Sequence, residues 1–358
     1  MGLVGSWPDT VTAHEELWVR LQPLLLRRGY KLRPRYDPDW KPSWKGPLKF
    51  NQEAGDYEDY FPMRHRRTID AVRLVDNTKV VLKQVSTSSQ EIPIARYLNS
   101  ERVRSDPRNK AVPLFDVILL PWTDETALLV MPMLVQYDTL SFRFMSEICE
   151  ALEQFFLGLV FMHEHRIAHR DACWGNLVMD FSRVMPGGYH FASRTTEDGK
   201  RKELRWVPRK SVAPVKYYYI DFGLSHKFPE NTVSSRLAGL VGQDRTVPEA
   251  ASDTPYDAFK YDIYQLGNVL AQLIAEYEDL SAFKPLSDLM KRRDPEERPS
   301  ASEAYETLVD LILRLNDGQL DQRVWHKKCP PDLRYRIEHC NENPFEYYPS
   351  SDSSLPWI

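Results

Sequence analysis

Apolar residues at Ile148, Leu152, Phe155, Leu159 and Met162 follow one another at alternating four- and three-residue steps. That spacing draws a single stripe down one face of a helix. A second series, Ile263, Leu266, Val269, Leu270, Leu273 and Ile274, is nearly apolar all round and predicts a buried helix. Between them, Tyr217 to Ile220 is a short aromatic and β-branched run that predicts a strand. Earlier in the chain, Ile69–Val75 and Lys79–Val85 are two β-prone runs joined by Asp76, Asn77 and Thr78, which predicts a hairpin. Leu114–Leu120 and Ala127–Val135 predict two further strands. Near the start, Leu17, Trp18, Leu21 and Leu24 to Leu26 predict a helix over Glu15–Arg28. The stretch Lys31–Gly46, rich in Pro, Trp and Arg, predicts an extended strap after it.

At 358 residues the chain is long for one core and accommodates two lobes with terminal extensions. Its 42% hydrophobic and 27% charged residues are ordinary for a globular protein. The formal net charge of −4 gives no reason to expect a nucleic-acid partner. Neither a membrane-spanning apolar run nor a secretory signal is expected, and the four cysteines form no C-x-x-C pair, so an intracellular protein, cytoplasmic or nuclear, is expected.

The chemistry concentrates in HRDACWGN, His169 to Asn176, and in YYYIDFG, which ends on Asp221, Phe222 and Gly223. Asp171 offers a carboxylate that could take a proton from a hydroxyl. Asn176 and Asp221 offer hard oxygen ligands suited to Mg²⁺. Helix, loop, strand and second carboxylate come in the order that protein kinases use, and the chain resembles the eukaryotic protein kinase superfamily over about residues 60 to 316. VPEA at 247 to 250, Asp262 and Gly267 in YDIYQLG, and Arg298 in DPEERPSASEA carry the resemblance into the second half. LRPRYDPDW, DPRNKAVPLFDV and PVKYYYIDFG look like a group of fungal protein-kinase-like proteins.

The resemblance implies a bilobal α+β fold, with a small antiparallel-sheet N-lobe at 60–134 and a mainly helical C-lobe at 135–316. Extensions at 1–59 and 317–358 and an insertion at about 181–215 complete the organisation. It implies ATP and Mg²⁺ as cofactors, Lys83 on the α and β phosphates, and Glu91 as its ion-pair partner. Ser88 with Glu91 also reads as a capping box, a competing structural role. Met131 would be the gatekeeper, Pro132 would keep the carbonyl the adenine amino group needs, and Leu134 would supply a backbone N–H. Asp171 would be the base, Asn176 and Asp221 the metal ligands. Glu249 would pair with Arg298, and Ser300 with Glu303 would cap the last helix.

Two parts of that machinery are missing. The region Asp59 to Thr68, where a glycine-rich loop belongs, has no glycine, and Arg64, Arg66 and Arg67 are the cations there. Ala172 to Gly175 hold no lysine or arginine beside the transferred phosphoryl. Arg170 sits where an activation-loop phosphate could pair, with Ser225, Thr232, Ser234, Ser235 and Thr246 as the available hydroxyls. The expectation is an ATP-dependent protein kinase acting on a protein hydroxyl, serine or threonine. The alternative is a pseudokinase, a nucleotide-binding or scaffold module with little turnover. A small-molecule kinase is disfavoured by VPEA, Asp262 and Arg298.

Overall fold

The structure is a computed structural model and describes residues 9–45, 53–63, 65–194, 196–231, 235–239, 242–251 and 254–339. The chain divides into two units. Unit 1 takes 1–85, 115–133 and 185–206; unit 2 takes 86–114, 134–184 and 207–358.

In unit 1, helix α1 (Glu16–Arg27) buries Trp18, Leu21 and Leu25. Gly29, at φ +86°, takes a backbone conformation that side chains disfavour and turns the chain into strand β1 (Tyr30–Lys31). Strand β1 pairs antiparallel with β2 (Thr68–Arg73), and β2 with β3 (Thr78–Ser86). The predicted hairpin forms, but β2 ends at Arg73, the turn takes Leu74 to Asn77, the last at φ +59°, and Thr78 already opens β3. Strands β4 (Asp116–Leu119) and β5 (Thr126–Pro132) also pair antiparallel, and the sheet order is β1-β2-β3-β5-β4. Ile69, Val80, Leu82, Leu128 and Val130 close a core with Trp18, Leu21 and Tyr36. The amino-terminal segment is thus more than a strap, because it contributes a strand to the sheet and a helix to its core.

A buried charge cluster fastens it. The Arg35 guanidinium donates to both Glu15 oxygens at 2.8 and 3.1 Å, with both side chains fully buried. Tyr36 Oη adds a third donor to Glu15 at 3.1 Å, and Trp40 Nε1 donates to Asp59 at 2.8 Å. The insertion docks on the same unit. His190 Nε2 lies 2.9 Å from Glu58 Oε1, Lys79 Nζ donates to the Tyr189 carbonyl at 2.9 Å, and Arg201 Nη2 reaches Asp56 at 2.6 Å. Only 185–206 of the expected 181–215 segment belongs to unit 1.

Unit 2 is mainly helical. It begins with α2 (Glu91–Leu98) and α3 (Glu101–Arg104), which cluster here and not with the sheet. The capping box expected at Ser88 does not form: the helix starts at Glu91 with Gln90 at its N-cap, so Ser88 stands two positions too early and bonds Ser86 instead. Strand β6 (Val135–Gln136) precedes α4 (Met145–Glu164), in which all five residues of the predicted stripe are buried. After α4 come β7 (Ile167–Ala168), β8 (Leu177–Met179), β9 (Tyr217–Tyr219) and β10 (His226–Lys227), pairing as β6-β8-β9 and β7-β10. Then β11 (Arg236–Leu237) pairs with β12 (Tyr256–Asp257), which leads into α5 (Ala258–Glu276), α6 (Lys284–Met290) and α7 (Ala301–Leu313).

Ser300 and Glu303 cap α7 reciprocally, as their spacing predicts. Arg298 donates to both oxygens of Glu249 at 2.6 and 2.7 Å. The tail carries α8 (Asp317–Leu320) and α9 (Pro331–His339), tied down by Arg334 Nη1 on Glu278 at 3.0 Å. An antiparallel-sheet unit and a largely helical unit make an α+β fold of the protein-kinase type.

Candidate phosphoryl-transfer site

The loop after β7 is held from beneath by α5. Asp262, fully buried, accepts the backbone N–H of His169 at 2.8 Å and of Arg170 at 2.6 Å. A third contact, with His163 Nε2 at 3.0 Å, ties the same carboxylate to the end of α4. Gln265, one turn further along α5, accepts the Ala172 N–H at 2.8 Å. Such bonds are needed because an irregular loop has buried N–H groups that no ladder satisfies. The His169 ring spans the loop: Nδ1 accepts the Asp171 N–H at 3.3 Å and Nε2 lies 3.0 Å from the Ile220 carbonyl, which assigns the proton to Nε2. Arg170 sits at φ +63°, a conformation retained because Asp262 and Tyr256 fix it from both sides.

Asp171 and Asn176 are brought into contact. Asn176 Nδ2 donates to Asp171 Oδ2 at 2.7 Å and to the Asp171 carbonyl at 2.8 Å, while its Oδ1 accepts from Gln243 Nε2 at 3.4 Å. The β8–β9 ladder then sets Asn176 beside Asp221, since the Ile220 N–H donates to the Asn176 carbonyl at 3.0 Å. Asp221 is at φ +61°, and its Oδ1 accepts the Gly223 N–H at 3.2 Å. One amide oxygen and one carboxylate are hard donors that fit Mg²⁺, whose remaining positions are ordinarily filled by phosphate and water. Among the described residues no group of three or more His, Cys, Asp or Glu side chains gathers as a metal cage, and a cation held partly by phosphate does not need one.

The other predicted residues distribute as follows. Lys83, 9% exposed, stands on β3 opposite Thr68 in unit 1. Met131 and Pro132 end β5 in unit 1, and Leu134 opens a segment of unit 2. Glu91 begins α2 in unit 2 and packs on Gly223, where an added Cβ would come within 3.3 Å of its Oε2. Arg66 and Arg67 are exposed, and the Arg67 carbonyl extends the β2–β3 pairing by accepting from Gln84 N–H at 2.7 Å. Arg64 lies outside the described residues.

Among the described residues, the hydrogen-bond donors to the Asp171 carboxylate are all neutral: Asn176 Nδ2, Cys173 Sγ at 3.5 Å, and the backbone N–H and side-chain Nε2 of Gln243 at 2.7 and 3.1 Å. Burial, and then the Asp171 carboxylate, push the Cys173 thiol well above its ordinary value, so it remains a protonated donor. Arg170 is committed elsewhere, to the Tyr256 hydroxyl at 2.8 Å and to the Leu224 and Gly239 carbonyls. Of the candidate hydroxyls, Ser225 donates to the His169 carbonyl, Ser235 to Asp257 and Thr246 to Asp244. Thr232 and Ser234 lie outside the described residues. Gln243 itself had no signal in the sequence, since no motif marks a glutamine five positions before Pro248.

No protein-family model matches the chain. It is similar to "Dual specificity testis-specific protein kinase 2" of Rattus norvegicus, 27% identical over a 144-residue alignment covering 33% of this chain and 25% of that protein. The protein of the same description from Mus musculus is 26% identical over 144 residues, with the same coverage. The match spans about a quarter of the length of these curated relatives. The fold together with this distant likeness supports a place in the protein-kinase superfamily and no narrower one.

Proposed function

We propose that the chain is a nucleotide-binding, protein-kinase-like module with little or no turnover, a pseudokinase. The observation that carries the reading is the all-neutral donor set around Asp171. Phosphoryl transfer depends on positioning and on neutralising charge at the moving phosphoryl. Removing one well-placed electrostatic contact of that kind ordinarily costs about 10²-fold or more in rate. The absence of glycine from 59–68 acts in the same direction, because phosphates are usually gripped there by backbone N–H groups. Asn176 and Asp221 would hold Mg²⁺ against the phosphates of ATP, and Lys83 is the candidate for the α and β phosphates. Held by Asn176 and Asp221, Mg²⁺ would supply charge neutralisation at the phosphates.

A slow phosphotransferase acting on a protein serine or threonine is the second reading. It is favoured by the 2.7 Å bond that locks Asp171 to Asn176, which keeps candidate base and candidate ligand in fixed register. Kinship with fungal kinase-like proteins belongs to this proposal too, resting on the motifs quoted above. Thermal unfolding with and without MgATP tests the nucleotide claim. Ligand at about 100 times its dissociation constant stabilises a fold by about 2.7 kcal/mol, so a clear upward shift of the midpoint is expected. An unchanged midpoint across millimolar MgATP contradicts it.

A further inference from the structure

A cavity of about 360 Å³ lies beside the candidate loop within unit 2, lined by Cys173 and Trp174 of the loop and by Gln265, Asn268, Val269 and Gln272 of α5. That volume is at the small end of the range for ligand pockets, roughly 300–1,000 Å³. Gln265, Asn268 and Gln272 stand three and four residues apart, which puts three amides on one face of the helix. Each amide is oriented by the bonds it already makes. Gln265 Oε1 accepts the Ala172 N–H at 2.8 Å, so Nε2 is its unspent end, and that atom is buried with no partner among the described residues. Asn268 Nδ2 donates to Asp244 Oδ2 and to Thr246 Oγ1, both at 2.7 Å, which leaves its Oδ1 as an acceptor. Gln272 Nε2 donates to Glu276 at 3.0 Å and leaves its Oε1 in the same way. A buried donor without a partner is costly, so Gln265 calls for an acceptor that the chain itself does not supply.

We propose that this cavity binds the side-chain carboxamide of a glutamine or asparagine in a partner peptide laid along the candidate loop. A carboxamide brings one acceptor oxygen and two N–H donors. The cavity offers the complement: the Gln265 Nε2 donor and the Asn268 and Gln272 oxygens. Trp174 and Val269 give the methylenes an apolar wall. Charged side chains fit less well. A glutamate would set its oxygens against those of Asn268 and Gln272, and a lysine has no acceptor for Gln265. Asp244 in the lining is already spent on Asn268 and Thr246, and Arg245 there is exposed to water, which screens its charge. A leucine would strand all three amide ends, the mismatch that hydrogen-bonding sites reject most strongly. The peptide part of the inference rests on the reading of Asp171 as facing a protein hydroxyl, because Cys173 and Trp174 follow it by two and three residues.

The test titrates the full chain, without nucleotide, with the N-acetyl methylamides of glutamine, asparagine, glutamate, lysine and leucine and with free acetamide. Binding is followed on the side-chain amide NMR signals of Gln265, Asn268 and Gln272. The glutamine or asparagine probe is expected to shift these signals saturably and to bind about tenfold more tightly than the glutamate, lysine and leucine probes. Gln272→Leu takes one acceptor from a half-buried position, and is expected to weaken the carboxamide probe about threefold or more while the leucine probe binds as before or more tightly. Equal affinities for all the probes, or no saturable shift, overturn the proposal and leave the cavity to water. Tighter binding of the glutamate or lysine probe overturns it too, as does a Gln272→Leu variant that binds the carboxamide probe like wild type. Binding of both carboxamide probes no tighter than acetamide overturns the peptide part. The probe comparison on the wild type stands alone if the variant does not fold. A missing MgATP shift in thermal unfolding counts against the nucleotide reading only, because no nucleotide enters this titration.

Discussion

The buried carboxylate of Asp262 accepts the backbone N–H of Arg170 at 2.6 Å. Because the same group holds His169 and His163, one side chain of α5 fixes the entry to the candidate loop. Asp262→Asn replaces an acceptor oxygen with an amide that faces another N–H. Hydrogen bonds to charged groups contribute roughly 1.5–3 kcal/mol each, and a stranded buried donor adds its own cost. A loss of about 2–4 kcal/mol is expected in urea unfolding, and a loss below about 0.5 kcal/mol contradicts this role.

Unit 1 depends on the Arg35–Glu15 pair. Burial alone would raise the Glu15 carboxyl, but the bonds from Arg35 and Thr12 outweigh it and hold it at about 2. A depressed folded value stabilises above the unfolded value of 4.5, and that contribution is lost as pH falls toward 2. Glu15→Gln strands the Arg35 charge and is expected to cost about 3 kcal/mol at pH 7. The gap between wild type and variant should narrow as the unfolding series is taken from pH 5 to pH 3; a gap independent of pH contradicts the assignment.

Asp138, beyond β6, behaves in the opposite sense. Burial and then the nearby Glu276 raise its carboxyl to about 7. An acid raised on folding weakens the fold as pH climbs from the unfolded value of 3.8 through 7, since the folded state must give up a proton it holds more tightly. Asp138→Asn is therefore expected to raise the free energy of unfolding at pH 8 by on the order of 1 kcal/mol and to change it little at pH 4. Equal effects at the two pH values rule this out.

The insertion is pinned by His190 on Glu58, by the Tyr189 carbonyl on Lys79 and by Arg201 on Asp56. His190→Ala removes the least exposed of these ties. Trypsin is expected to cut at Lys200, Arg201 or Lys202 several-fold faster in the variant, with unit 2 fragments unaffected. Identical digestion rates would show that the remaining contacts suffice.

Asp262 in YDIYQLG and Arg298 in DPEERPSASEA were legible through the family resemblance of their motifs, and each has a partner in the structure: the His169 and Arg170 N–H groups for Asp262, Glu249 for Arg298. The α4 stripe and the Ser300–Glu303 cap are local features, settled within a few residues of chain. Tertiary choices were not legible. The two-residue strand Tyr30–Lys31 is too short to alternate, and its pairing with Val72 and Arg73 depends on Gly29 turning the chain. The insertion's polar residues gave no hint of a partner, because Glu58 and His190 are 132 positions apart. Gln243 was invisible for the same reason: its partner is chosen by the path of the chain and not by its neighbours.

The central claim is that this site binds nucleotide without appreciable turnover, and single-turnover phosphoryl transfer under saturating MgATP tests it most directly. Wild type and Asp171→Asn should bind MgATP alike and release or transfer phosphate at the same negligible rate. A wild-type rate of about 1 s⁻¹ or more, within the ordinary kinase range and abolished by Asp171→Asn, contradicts the account and makes the chain a working kinase.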